Sequence, residues 1–151
     1  VRRKKEKRRR GKMIDKKKLT LQLIQEEDIK LLPYNDVYGN LTIGIGRNLT
    51  EVGITEDEAY YLCNNDIDSH YKDLQKRLPY FNSLPENVQY VLTDMCFNLG
   101  IGNLLTFHKT LNLIKAGEYK LAADEMLKSL WSKQVGQRAI NLSNMLKSTN
   151  I

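Results

Sequence analysis

Five side chains in the stretch "EEDIKLLPYNDVYGNLTIGIG" (26–46) could carry chemistry: Glu26, Glu27, Asp28, Asp36 and Thr42. Glu26 and Glu27 close a segment of helical apolar spacing, and the C-terminal end of a helix dipole disfavours an anion. A carboxyl held there tends to be paired, partly protonated or useful. Asp36 follows Glu27 by nine residues and Thr42 follows Asp36 by six. A helix end and an adjoining hairpin can therefore aim all three into one cleft. Two carboxyl groups across a groove are the minimal apparatus for glycoside cleavage: one protonates the leaving oxygen, the other supports water or the developing positive charge. On spacing alone the plainer account stands ahead, with Asp36 forming a turn and Glu27 a solvated helix-end acid.

The surrounding elements must position these groups. "KKLTLQLIQEED" (17–28) reads as a short helix with Leu19, Leu23 and Ile24 on one face, ended by the extended bias of Leu32 before Pro33. "PYNDVYGNLTIGIG" reads as a β-hairpin, with Asp36 and Gly39 flanking the turn and Thr42, Ile43 and Ile45 as strand formers. Gly44 and Gly46 leave room for a close approach. "GITEDEAYYLCNNDIDSHYKDLQKRL" (53–78) is a long helix of about 36 Å, opened by a capping box from Thr55 to Glu58. Its stripe runs through Ala59, Leu62, Cys63, Ile67, Tyr71, Leu74 and Leu78. A second capping box, Ser83 to Glu86, opens "SLPENVQYVLTDMCFNLG", and Gly100 follows as its C′ residue. Three more helices are expected in 106–117, 118–131 and 137–148, with Trp131 in the core. The fold class is α+β, mainly helical: a small hairpin subdomain joined by a long helix to a helical body.

Length bounds the rest: 151 residues fit one domain, expected over 13–151. Residues 1–12 hold nine Lys/Arg and one Glu, a net of +8. The remainder has 24 − 9 = 15 basic and 18 − 1 = 17 acidic residues, a net of −2. The basic character therefore belongs to a tail, expected to be disordered. It is either an arm for nucleic acid or an anionic surface, or a non-native extension upstream of Met13. With a near-neutral domain, no nucleic-acid partner is expected, and a monomer is. No apolar run reaches the roughly 20 residues of a membrane span, and no secretory signal is visible. Cys63 and Cys96 are expected as buried free thiols. His70 and His108 lack ligand spacing, so neither metal nor cofactor is expected. "GIG" (44–46) echoes a dinucleotide fingerprint but meets Leu49 where the third glycine belongs.

The segment "EEDIKLLPYNDVYGNLTIGIGRNLT" resembles the active-site region of phage T4-type lysozymes, glycoside hydrolase family 24. The shared pattern is an acid ending the first helix, then Y-x-D-x-x-G-x-x-T-I-G-x-G. Here it is carried by Glu27, Tyr34, Asp36, Gly39, Thr42, Ile43, Gly44 and Gly46. The likeness continues through "GITEDEAYYLCNNDI", "DMCFNLGIGNLLTFHKTL" and "EMLKSLWSKQVGQRA", covering nearly everything from Leu19 onward.

The resemblance implies a muramidase that cleaves the β-1,4 bond between N-acetylmuramic acid and N-acetylglucosamine in peptidoglycan. Glu27 would be the general acid, with Asp36 and Thr42 supporting water and charge in an inverting reaction. It also implies a Glu27–Arg138 contact, and Phe97, Asn98 and Thr110 in the saccharide cleft. A cation beside a general acid favours its ionised form, so substrate binding would have to desolvate Glu27. Removing Arg138 is then expected to move the pH–rate profile. Three departures stand out. Arg47 replaces a histidine and is expected to pair with Asp66. Asp28 replaces a glycine beside the acid. The loop from "GIGR" to "GIT" is short, implying a smaller hairpin subdomain. An endolysin of this kind would stay in the host cytoplasm until a holin-type membrane permeabiliser gave it access to the wall or periplasm.

Overall fold

The computed structural model describes residues 13–150. The basic segment 1–12, and both readings of it, lie outside them. The chain divides into two compact units, with the boundary between Glu56 and Asp57.

The first unit opens with helix α1, Lys16–Glu27, whose N-cap Asp15 accepts a hydrogen bond from the Lys18 amide at 3.1 Å. Three strands follow, β1 Lys30–Asn35, β2 Leu41–Gly44 and β3 Arg47–Asn48, in an antiparallel sheet ordered β1-β2-β3. Thr42 lies opposite Tyr34 on one side and Asn48 on the other. The β1–β2 register shifts between Lys30 and Tyr34, the stretch that holds Pro33. A proline that donates no ladder bond is tolerated there because β1 is an edge strand. The expected hairpin is thus a three-stranded meander. Thr42 is 4% exposed, while the other strand residues are exposed or half-buried.

The second unit is helical. Helix α2, Glu56–Arg77, has 22 residues and is about 33 Å long. Then come α3 Glu86–Leu99, α4 Ile101–Leu104, α5 His108–Lys115, α6 Tyr119–Met126, α7 Leu130–Val135 and α8 Gln137–Lys147. The core is built from α3 (Val88, Val91, Leu92, Met95), α5 (Ile114), α6 (Ala122, Ala123, Met126) and α8 (Ala139, Leu146), with Phe81 fully buried ahead of α3. As expected, Gly100 ends α3 with φ 77°, a conformation that side chains disfavour, and its amide donates to the Cys96 carbonyl.

Four local expectations are corrected. The Ser83–Glu86 capping box is absent: Ser83 lies in a 3₁₀ turn and spends its hydroxyl on the Tyr80 carbonyl at 2.8 Å. Pro85 takes the N-cap position of α3 instead. The single helix expected over 118–131 breaks into α6 and α7, because Ser129 caps α7 by accepting from the Ser132 amide. Of the long stripe on α2, only Leu74 is buried within the helix. Cys63 accordingly is exposed rather than buried, and Cys96 alone is a buried thiol. No described helix is long and apolar enough to cross a membrane.

Candidate active site

Glu27 is the last residue of α1, and its exposed side chain reaches over the β2–β3 turn. A Cβ placed on Gly46 would sit 3.4 Å from Glu27 Cδ and Oε2 and 3.5 Å from Cγ. Gly46 has φ 75°, a left-handed backbone that favours glycine, and a Cβ there would make ordinary contact with the carboxyl. Backbone or ligand was expected to approach at Gly44 and Gly46; the neighbour at Gly46 is instead the Glu27 side chain, and a Cβ on Gly44 would meet nothing within 4 Å.

Asp36 organises the β1–β2 turn. Its Oδ1 accepts from the amides of Tyr38 (2.9 Å) and Asn40 (2.8 Å), while its own amide donates to the Asn40 carbonyl at 2.9 Å. Both carboxylate bonds fall on Oδ1, and Oδ2 accepts none among the described residues. The turn is therefore held through one oxygen only. Thr42 Oγ1 donates its proton to the Asn40 carbonyl at 2.9 Å. With the proton committed, the hydroxyl can only accept, which suits it to orient a water. Asn40 thus ties Asp36 and Thr42 into one rigid turn.

Asp28 follows Glu27 with φ 64° and ψ 175°, and it is the one non-glycine residue at positive φ among those described. That region is essentially reserved for glycine. The residue keeps the glycine-like backbone of the resembled pattern and adds side-chain bonds. Oδ1 accepts from the Ile29 amide at 2.8 Å, and Oδ2 pairs with Lys30 Nζ at 3.0 Å. The Ile29 amide, followed by the Lys30 ammonium, holds the Asp28 carboxyl below its ordinary range. Glu26, the neighbouring acid, accepts from Gln22 Nε2 at 3.2 Å. Arg47 Nη1 donates to the Gly53 carbonyl at 3.1 Å.

The remaining expected residues lie in the second unit. Phe97 is 40% exposed, which removes it from the core, and its ring tilts against His70 at 5.5 Å. Asn98 is exposed, and its Oδ1 accepts from Trp131 Nε1 at 2.7 Å, leaving its NH₂ group as an outward donor. Trp131 is core as expected, edge-on to Phe107. Thr110 is buried on α5 and lines a groove of about 580 Å³ with Phe107, Trp131 and Glu125. The Lys128 hydrogen bond, with Lys109 adding to it, holds the Glu125 carboxyl below its ordinary range. Arg138 Nε donates to Asp94 Oδ1 at 2.8 Å, a partner that spacing gave no means to foresee. Phe97, Asp94 and Arg138 line one pocket of about 420 Å³.

A small three-stranded antiparallel sheet after a helix in one unit, and a helical body in the other, are the parts of a lysozyme-like fold. The family model for phage lysozyme matches residues 24–147, and the chain belongs to that family of glycoside hydrolases, whose members are peptidoglycan-hydrolysing muramidases. It is 25% identical to "Probable T4-type lysozyme 1" of Dictyostelium discoideum, over 82% of this chain and 89% of that protein. Identity to "Probable T4-type lysozyme 2" of the same organism is 27%, over 76% of this chain and 84% of the relative. The pre-baseplate central spike protein Gp5 of Enterobacteria phage T4 is 24% identical, over 85% of this chain but 27% of Gp5.

Proposed function

We propose that the chain hydrolyses the β-1,4 bond between N-acetylmuramic acid and N-acetylglucosamine, with Glu27 as general acid and Asp36 with Thr42 as the water-side apparatus. The observation that carries this reading is the seating of the Glu27 carboxyl against Gly46, on the sheet whose other turn holds Asp36 and Thr42. Glu27 gives its proton to the bridging oxygen as the bond from C1 breaks. A water held by the Thr42 oxygen attacks C1 from the opposite face and passes a proton to Asp36 Oδ2. Both carboxyl groups are restored by exchange with solvent. An inverting course of this kind needs a separation of about 6.5–9.5 Å between the two carboxyl groups, room for one water.

Phe97, the donor face of Asn98 and Thr110 bind the saccharide in this reading. The chain acts as a monomeric endolysin that reaches the wall through a holin-type partner. The test is digestion of purified peptidoglycan in ¹⁸O-labelled water. Reducing muramic-acid ends carrying the label are expected. Anhydro-muramic ends would mean a lytic transglycosylase, for which the Asp36–Thr42 turn has no task.

A further inference from the structure

Glu27 is the last helical residue of α1, so the chain's exit from the helix sets where its carboxyl lies. That exit is Asp28, and its backbone sits where glycine is expected. Three bonds converge on the residue. Its amide donates to the Ile24 carbonyl at 2.8 Å, its Oδ1 accepts from the Ile29 amide at 2.8 Å, and its Oδ2 meets Lys30 Nζ at 3.0 Å. Lys30 is opposite Gly44 in the sheet, and Gly46, against which Glu27 rests, follows two residues later. Adjacent carboxyl groups are therefore clasped to the same end of the same sheet, one through Lys30 and the other against Gly46.

We propose that Asp28 is the positioning residue for the proton donor: its side chain locks the turn after α1, which holds Glu27 over Gly46. A glycine at this place would adopt the same backbone without strain, yet offer the Ile29 amide no acceptor and Lys30 no anchor. The chain accepts a strained residue there in exchange for a fixed one. A shift of about 1 Å in a catalytic group can cost 10²-fold in rate, so a lock on the helix end acts on turnover rather than on substrate affinity. The inference rests on Glu27 being the proton donor.

The experiment compares Asp28→Gly, Asp28→Asn and Glu27→Gln with the wild-type chain, measuring kcat, KM and thermal midpoint on soluble peptidoglycan fragments. Asp28→Asn keeps an oxygen for the Ile29 amide but loses the anionic partner of Lys30, so kcat falls by about two- to threefold, less than in the glycine variant. Asp28→Gly relieves the backbone, so its midpoint does not fall, while kcat drops by about 5- to 10-fold at unchanged KM. Lost turnover without lost stability is a signature that a merely structural residue would not give. Wild-type kcat in Asp28→Gly, an Asn variant as slow as the Gly variant, or a change confined to KM would overturn the proposal. If Glu27→Gln keeps full activity, the proton-donor reading itself falls. If it is inactive while Asp28→Gly is unaffected, only the role of Asp28 falls.

Discussion

Replacing Gly46 with Ala isolates the contact on which the site depends, because the sheet contains its own control. Gly44 and Gly46 have φ of 71° and 75°, so an alanine at either meets the same backbone penalty, about 1–2 kcal/mol. At roughly 2–4 °C per kcal/mol in a chain of this size, each variant should melt a few degrees lower, and by similar amounts. The surroundings differ. A Cβ on Gly44 meets nothing within 4 Å, whereas one on Gly46 lies 3.4 Å from both Cδ and Oε2 of Glu27. That is ordinary van der Waals contact with the end of an exposed side chain, so the added methyl limits where the carboxyl can swing without displacing it. A methyl in contact with the carboxyl changes the positions open to it, so Gly46→Ala should differ from Gly44→Ala in kcat by about two- to threefold. Turnover on soluble peptidoglycan fragments, measured well below both melting points, gives the ratio. Equal kcat in the two variants would refute the idea that Glu27 is seated by Gly46.

Other expectations follow from the helical unit. Burial, with the Asp73 charge adding to it, pushes the Cys96 thiol from 9.0 up to about 11. The unfolded chain ionises first, so this contribution to stability is intact below pH 9 and is lost as pH rises toward 11, which denaturation across that range in wild type and Cys96→Ala would show. Cys63 is exposed, so a thiol reagent at pH 8 should label one cysteine in the native protein and two in denaturant. Phe81 is fully buried, and Phe81→Ala should cost about 3–5 kcal/mol in a urea titration. Arg138 and Asp94 are 39% and 41% exposed as a pair, so Arg138→Ala should cost under about 1 kcal/mol of stability. A much larger activity loss in that variant would support a role beyond the Asp94 pair.

The parts of the fold that sequence made legible are those marked by punctuation and period. Gly100 ends α3 because a C′ residue needs positive φ, and the apolar positions of α3 face the core as their spacing required. Elsewhere the physics was tertiary or too short to leave a pattern. β3 has two residues, fewer than any alternation can reveal. Ser83 satisfies a capping pattern but does not cap, because it lies inside a 3₁₀ turn and the chain enters α3 two residues later, at Pro85. The stripe on α2 gave Cys63 and Leu74 equal standing, although only Leu74 is covered. Spacing offered Glu27, Asp36 and Thr42 only as candidates, and the T4-type pattern put them ahead of the plainer account. The one-sided bonding of the Asp36 carboxylate and the Asp94 partner of Arg138 depend on geometry that no linear pattern encodes.

The central claim is that one carboxyl, Glu27, supplies the proton. Glu26 is its neighbour on the same helix end and is hydrogen-bonded to Gln22 instead. Glu27→Gln and Glu26→Gln should therefore be compared on one peptidoglycan preparation, by counting new reducing ends over time. A loss of about 10²–10⁴-fold in Glu27→Gln, with Glu26→Gln within about twofold of wild type, is the predicted result. Substantial activity in Glu27→Gln, or equal losses in the two variants, would contradict it.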